Sequence, residues 1–237
     1  MKVHTALVCC LIVVLGSSCT TQQMSDALSG VLSETLSAEE VAAGLKEALA
    51  NGATKGSLQA AQEDGYMANT AIKIPFPEDI KRVDTTLRSM KLDPLVDRAV
   101  LSINRAAEDA AVKAKPIFLK AITSMTIQDA WSILQGQENA ATQYLRKTTS
   151  EQLYAAFRPS VEQSLNKVHA TRYFGKAVNT YNRIPLVSKV NPDLGDYTTN
   201  KAIDGLFTLV QQEEARIRRD PVARTSDLLQ RVFAAQN

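Results

Sequence analysis

Residues 92–118 carry the pattern that constrains the fold most strongly. Apolar residues recur there at alternating steps of four and three, at Val96, Val100, Ile103, Ala107, Ala110, Ala114 and Ile117. This spacing aligns them along one side of a long helix, and we call the row the alanine seam. Because its middle is alanine, a neighbouring helix can approach closely, while the larger residues at both ends fill volume. The stretch therefore predicts a helix packed among other helices.

The rest of the chain also favours helices. The 237 residues include only 10 Gly and 8 Pro, fewer than the roughly 12 % of an average protein. Few turn-forming residues argue against a β-rich fold, so we predict an all-α, bundle-like domain over residues 36–237. Two proline-containing segments, 72–77 and 183–190, favour extended backbone. They are either a short two-stranded ribbon or packed connections.

Helix boundaries can be predicted from local signals. Ser37 with Glu40, and Thr126 with Asp129, have the spacing of capping boxes. The same spacing at Thr148 predicts a further helix start, Asn51-Gly52 predicts a helix end, and Asp196 is the expected cap of the last long helix.

The first 18 residues have the features of an export signal. Lys2 supplies a positive charge, residues 6–15 are uncharged and apolar, and small residues precede Cys19. The apolar run is too short for a transmembrane helix. We therefore predict a signal peptide over residues 1–18.

Cys19 resembles the acylated first residue of bacterial lipoproteins. The match departs from the lipoprotein pattern in one place, because Leu15 lies four residues before the cysteine and Gly16 stands where that leucine is expected. Ordinary cleavage after Ser18 is the alternative. Since Cys9 and Cys10 leave with the signal, the mature chain keeps one cysteine at its end, which suits lipid attachment better than a disulfide. We predict lipidation of Cys19.

A lipid on Cys19 would hold the protein to a membrane through residues 19–35, a tether rich in Ser, Thr and Gln. The lipoprotein resemblance implies that an aspartate directly after the cysteine would retain the protein at the inner membrane. Thr20 stands at that position here. We expect the periplasmic face of the outer membrane, with a soluble periplasmic protein as the alternative.

Charge and residue inventory narrow the chemistry. Because the chain has 27 basic and 25 acidic residues, its nearly balanced charge gives no electrostatic reason to expect binding to nucleic acid. His169 is the only histidine outside the signal peptide, so Cys/His zinc sites are excluded and triad catalysis would depend on that one side chain. We expect no metal and no cofactor.

A polar group lies beside the alanine seam, and we call it the polar block: Asn104, Arg105, Glu108 and Asp109. Three interpretations stay open. It is a solvated face with helical ion pairs, a buried structural network, or a pocket that binds a small polar ligand or orients a water. Asp129 and Trp131 are weaker candidates, explained most simply by capping and core packing.

One basic cluster lies near the C-terminus, at Arg216, Arg218, Arg219, Arg224 and Arg231. Glu213 and Glu214 interleave with it, which favours a solvated helix end, and contact with anionic lipid is the alternative.

Several stretches together resemble a bacterial family, domain of unknown function 4197: IKIPFP, SINRAAEDAAVKAKPIF, SMTIQDAWSILQG and KAIDGLFTLVQQEEARIRRDPVARTSDLLQRVF. The likeness runs from about residue 30 to the end. It implies an exported, often lipoprotein-like protein, and it brings no catalytic role.

The leading prediction is a cell-envelope lipoprotein that acts as a non-catalytic binding module for an unknown protein or small molecule. One alternative is a carboxylate-dependent enzyme, such as a hydrolase, using Glu108 or Asp109. The other is a carrier of an apolar ligand held between helices, with the alanine seam lining its cavity.

Overall fold

A computed structural model describes residues 37–77, 93–167, 193–224 and 226–234, together with the single residues 169, 171, 179, 185 and 189. The predicted signal peptide, Cys19 and the tether lie outside the described residues, as does most of segment 183–190. Ser37–Asn237 form one compact unit.

The all-α prediction is confirmed, since the described residues contain helices and no strand. The helices are α1 (Ala38–Ala61), α2 (Asp93–Ala111), α3 (Ala114–Thr123), α4 (Ile127–Leu134), α5 (Ala140–Lys167), α6 (Leu194–Arg219) and α7 (Asp227–Ala234), with a 3₁₀ turn at Pro221–Ala223. Segment 72–77 is neither helix nor strand and begins in a turn, in which Ile72 N donates to Asn69 O. Its predicted ribbon partner falls mainly outside the described residues.

Four long helices form the core. Helix α6 packs against α1, α2 and α5, and α2 also contacts α1 and α5. Helices α3 and α4 each contact both α1 and α5, and α7 lies on α1. Phe118 and Phe207 meet edge to face at 5.7 Å between ring centroids, an arrangement that aromatic pairs favour.

The alanine seam occupies the buried side of α2 and continues into α3. Ile103, Ala107, Ala110 and Ala114 are buried, whereas Val100 and Ile117, nearer its ends, are half-buried. The side chain of Val96 lies outside the described residues. The chain begins a new helix at Ala114, because Pro116 has no N–H to donate to the preceding turn. The alanine seam therefore runs across two helices.

Both capping boxes are confirmed. The Ser37 hydroxyl accepts from Glu40 N, and the Glu40 carboxylate accepts from Ser37 N. Thr126 and Asp129 make the same reciprocal pair at the start of α4. Such caps pair backbone N–H groups that have no partner within the helix.

Three predicted boundaries are wrong. Helix α1 continues through Gly52, which is buried where a β-carbon would lie 3.4 Å from Cβ of Glu213. Helix α5 passes through Thr148, whose hydroxyl bonds to Tyr144 O one turn earlier. The cap of α6 is Asp193, which accepts from Asp196 N.

Candidate functional site

Glu108 is the centre of the polar block. Its carboxylate is buried, with 4 % of the residue exposed. One oxygen, Oε1, accepts from the backbone N–H groups of Tyr66 at 3.1 Å and Met67 at 3.2 Å. The other, Oε2, accepts from Arg105 Nη1 at 2.6 Å. Glu108 therefore binds the segment that follows α1 to the side of α2.

Arg105 extends this contact to the end of α1. Its Nη2 donates to Asp64 Oδ1 at 2.8 Å and lies 3.3 Å from Glu63 Oε1. Asp64 has a left-handed backbone, with φ of 63°. The next residue must be small, because a β-carbon on Gly65 would lie 2.3 Å from Gln59 O. The hydrogen bonds with Glu108 and Asp64 raise the pKa of Arg105 above its usual value.

Asn104 pairs with the backbone of Ile74 as a neighbouring strand would. Its Oδ1 accepts from Ile74 N at 2.9 Å, and its Nδ2 donates to Ile74 O at 2.8 Å. Nδ2 also donates to Val100 O at 2.8 Å. Asn104 is fully buried. Its amide pairs with the N–H and C=O of Ile74, which would otherwise be buried without hydrogen-bond partners.

Asp109 lies apart from the other three members of the polar block. It is exposed, and its Oδ2 accepts from the Ser164 hydroxyl on α5 at 2.6 Å. Arg105, one turn earlier, pairs with Glu108 instead. The four residues therefore divide into a clamp on segment 62–77, formed by the buried Asn104 and Glu108 with the half-buried Arg105, and an exposed carboxylate facing α5.

Tyr66 fastens the same segment to α6. It is fully buried, and its hydroxyl donates to Ala202 O at 2.6 Å. The ring needs Gly205, because a β-carbon there would lie 2.8 Å from Tyr66 Cε1. Burial, and secondarily the charge of Glu108, raise the pKa of Tyr66 far above its ordinary value of 10.0.

Tyr66→Phe should therefore change the alkaline stability of the protein. Since the pKa is raised on folding, the stabilisation is complete below about pH 10 and is lost as pH rises further, because the unfolded chain ionises first. Phenylalanine should cost about 1 kcal/mol at neutral pH, from the lost hydrogen bond, and should reduce the alkaline decline. Urea unfolding between neutral pH and about pH 11 measures both. An undiminished decline in the variant would contradict this assignment.

Asp129 and Trp131 lie on α4. Asp129 Oδ2 accepts from both the N–H and the hydroxyl of Thr126, and these bonds lower the pKa of Asp129. Trp131 is half-buried. The Asp129 carboxylate is therefore part of the N-terminal capping box of α4, as the capping interpretation predicts.

A second buried carboxylate, Glu214 on α6, was missed by the sequence interpretation. It accepts from the N–H groups of Ala141 at 3.0 Å and Thr142 at 2.9 Å, and from the Thr142 hydroxyl. Arg218 donates to it at 3.1 Å. Glu214 is therefore the cap of α5, supplied by another helix.

The interpretation of this region as a solvated helix end is wrong for its two glutamates. Glu213 and Glu214 are 8 % and 6 % exposed, and Glu213 pairs with Lys55 at 2.8 Å. The missed signal is their position, since Val210, Glu213, Glu214 and Ile217 have the spacing of one buried helix face.

The C-terminal arginines also have partners inside the domain. Arg216 pairs with Glu213 at 2.7 Å and Arg219 with Glu138. Arg224 is buried and donates to the carbonyls of Ile217 and Arg218 at the end of α6. Arg231 lies 3.8 Å from Glu40. These cations therefore pair with carboxylates or carbonyl groups of the domain itself.

Within the described ranges, no three His, Cys, Asp or Glu side chains are grouped to hold a metal ion. None of the helices described is long and apolar enough to cross a membrane. His169 is exposed, with a left-handed φ of 55°.

A protein-family model matches residues 35–234, and its description is "Protein of unknown function (DUF4197)". No curated protein and no solved structure matches the chain.

Proposed function

The chain belongs to the DUF4197 family, and on that premise we propose that it is a non-catalytic binding module of the cell envelope, held to a membrane by a lipid on Cys19. The family description names no activity, so support for this function comes from the residues of the chain itself.

The proposal rests on one observation, which is that the Glu108 carboxylate is bonded entirely to groups of the domain itself. A general acid or base must place an oxygen within hydrogen-bond reach of its substrate. Both oxygens of Glu108 instead face groups of the protein, two backbone N–H groups and the Arg105 guanidinium. Asn104 is equally committed to Ile74. The buried residues of the polar block are thus committed to contacts within the domain, which counts against catalysis by Glu108 and supports a non-catalytic module.

Asp109 provides the test, because it is the exposed carboxylate of the polar block. We expect a strain lacking the protein to be restored fully by the Asp109→Asn variant, since a binding module has no use for its proton. Ser164→Ala, which removes the hydroxyl bonded to Asp109, is the matched control. Loss of function in Asp109→Asn, at a normal level of folded protein and with Ser164→Ala still active, would favour the enzyme hypothesis.

Lipidation has a separate test. In bacteria supplied with labelled palmitate, the wild-type protein should carry the label and fractionate with outer membranes, because several acyl chains at one site anchor stably. Cys19→Ser should lose the label completely and leave the membrane fraction. Cys10→Ser, a cysteine within the signal peptide, is the control and should keep both. An unlabelled wild-type protein would overturn the lipid anchor.

A further inference from the structure

Helix α3 presents a surface that combines cations with exposed apolar side chains. We define the α3 surface as Val112, Lys113, Lys115, Pro116, Leu119, Lys120 and Thr123. All of these residues are exposed except Leu119, which is half-buried, and Val112 is exposed to 65 %.

The α3 surface is positively charged, and the residues around it in sequence include no acidic side chain that would neutralise it. Residues 110–128 contain three lysines and no acidic residue. In the described part of the chain, Lys113, Lys115 and Lys120 make no ion pair, whereas the C-terminal arginines do. A fourth cation, Lys46, donates to Thr123 O at 3.4 Å and so lies at the carboxyl end of α3.

The apolar and cationic residues are arranged for an interface. Pro116, Leu119 and Thr123 follow steps of three and four along the outer side of α3, and Val112 lies in the turn just before this helix. Lys115 falls on one side of this row and Lys120 on the other, as the rotation of 100° per residue requires. Long lysine stems can lie along apolar surface while their ammonium groups reach anions.

We propose that the α3 surface lies on the head groups of an anionic phospholipid bilayer. Its charge is complementary to phosphatidylglycerol, and clustered lysines are attracted to an anionic leaflet. The exposed Val112 and Pro116 can enter the boundary between head groups and acyl chains. The proposal rests on the membrane attachment proposed above, and it adds an orientation: the domain faces the bilayer with α3.

A lysine footprint tests this orientation. The full chain is reconstituted in vesicles of phosphatidylcholine alone, or of equal parts phosphatidylcholine and phosphatidylglycerol. Lysines are then methylated with formaldehyde and a borane, which are uncharged reagents. Lys113, Lys115 and Lys120 should react several-fold more slowly on the anionic vesicles, because an ammonium group held at anionic head groups is shielded from the reagent and is kept protonated by the negative surface.

Three exposed lysines elsewhere are internal controls: Lys73, Lys167 and Lys201. Their rates should stay the same in both vesicles. High salt should abolish the difference at α3, because screening shortens the reach of the surface charge. Equal slowing at all lysines, or no slowing at α3, would overturn the proposal.

A pair of double variants sharpens the test. With Lys115→Gln and Lys120→Gln combined, the slowing of Lys113 on anionic vesicles should fall severalfold, since the neighbouring cations no longer hold the surface down. With Lys167→Gln and Lys201→Gln combined, which remove the same charge elsewhere, it should not change. Slowing of Lys113 that is equal in both variants would contradict the role of the α3 lysines. Palmitate labelling reports on Cys19 alone, so the anchor and the surface can fail independently.

Discussion

Replacing Glu108 by alanine is expected to lower the free energy of unfolding by about 3 kcal/mol. The change leaves the N–H groups of Tyr66 and Met67 without their acceptor and removes the counter-charge of Arg105. For a domain of this size the midpoint of thermal unfolding should fall by about 6–12 °C. Differential scanning calorimetry measures the shift directly.

Asp109→Ala is the matched control, because Asp109 is the next residue on the same helix and is exposed. It should change the free energy of unfolding by no more than about 0.5 kcal/mol. If Glu108→Ala unfolds at the same temperature as Asp109→Ala, the clamp on segment 62–77 is not a stabilising contact.

Replacing Glu214 by alanine should have the second largest effect, a loss of about 2–3 kcal/mol. The change leaves two N–H groups at the start of α5 unpaired, at Ala141 and Thr142, and it removes the partner of Arg218. Because the cap comes from α6, the loss should appear both in urea unfolding and as faster hydrogen exchange of the Thr142 amide.

Gln212→Ala serves as the comparison for Glu214, since Gln212 is an exposed residue of the same helix. It should be nearly neutral. Glu214→Gln keeps an acceptor oxygen and should fall between the two. A Glu214→Ala protein with the stability of Gln212→Ala would show that α5 does not depend on this cap.

Local signals were sufficient for much of the fold. The capping boxes at Ser37 and Thr126 depend on residues three apart, so the sequence alone identifies them. The alanine seam likewise needs only the helical period. Gly52 shows where such reasoning fails, because it lies inside α1 where Glu213 packs against it, and that contact joins residues far apart in sequence.

The role of the polar block could not be predicted for the same reason. Spacing placed Asn104 and Glu108 beside each other on one helix, but their partners Ile74 and Tyr66 are 30 and 42 residues away. Solvated face, buried network and ligand pocket all share that spacing. Only the path of segment 62–77 across α2 distinguishes them.

Native-state hydrogen exchange of segment 62–77 shows whether Asn104 and Glu108 hold this segment through its backbone. The amides of Tyr66, Met67 and Ile74 should exchange as slowly as those in the middle of α2, because each donates to a buried side chain. The amide of Ala71, which donates to Asn69 Oδ1 in an exposed hydrogen bond, should exchange much faster. If all four amides exchange at the rate of Ala71, Asn104 and Glu108 do not hold the segment, and the polar block becomes a candidate site for ligand binding or catalysis again.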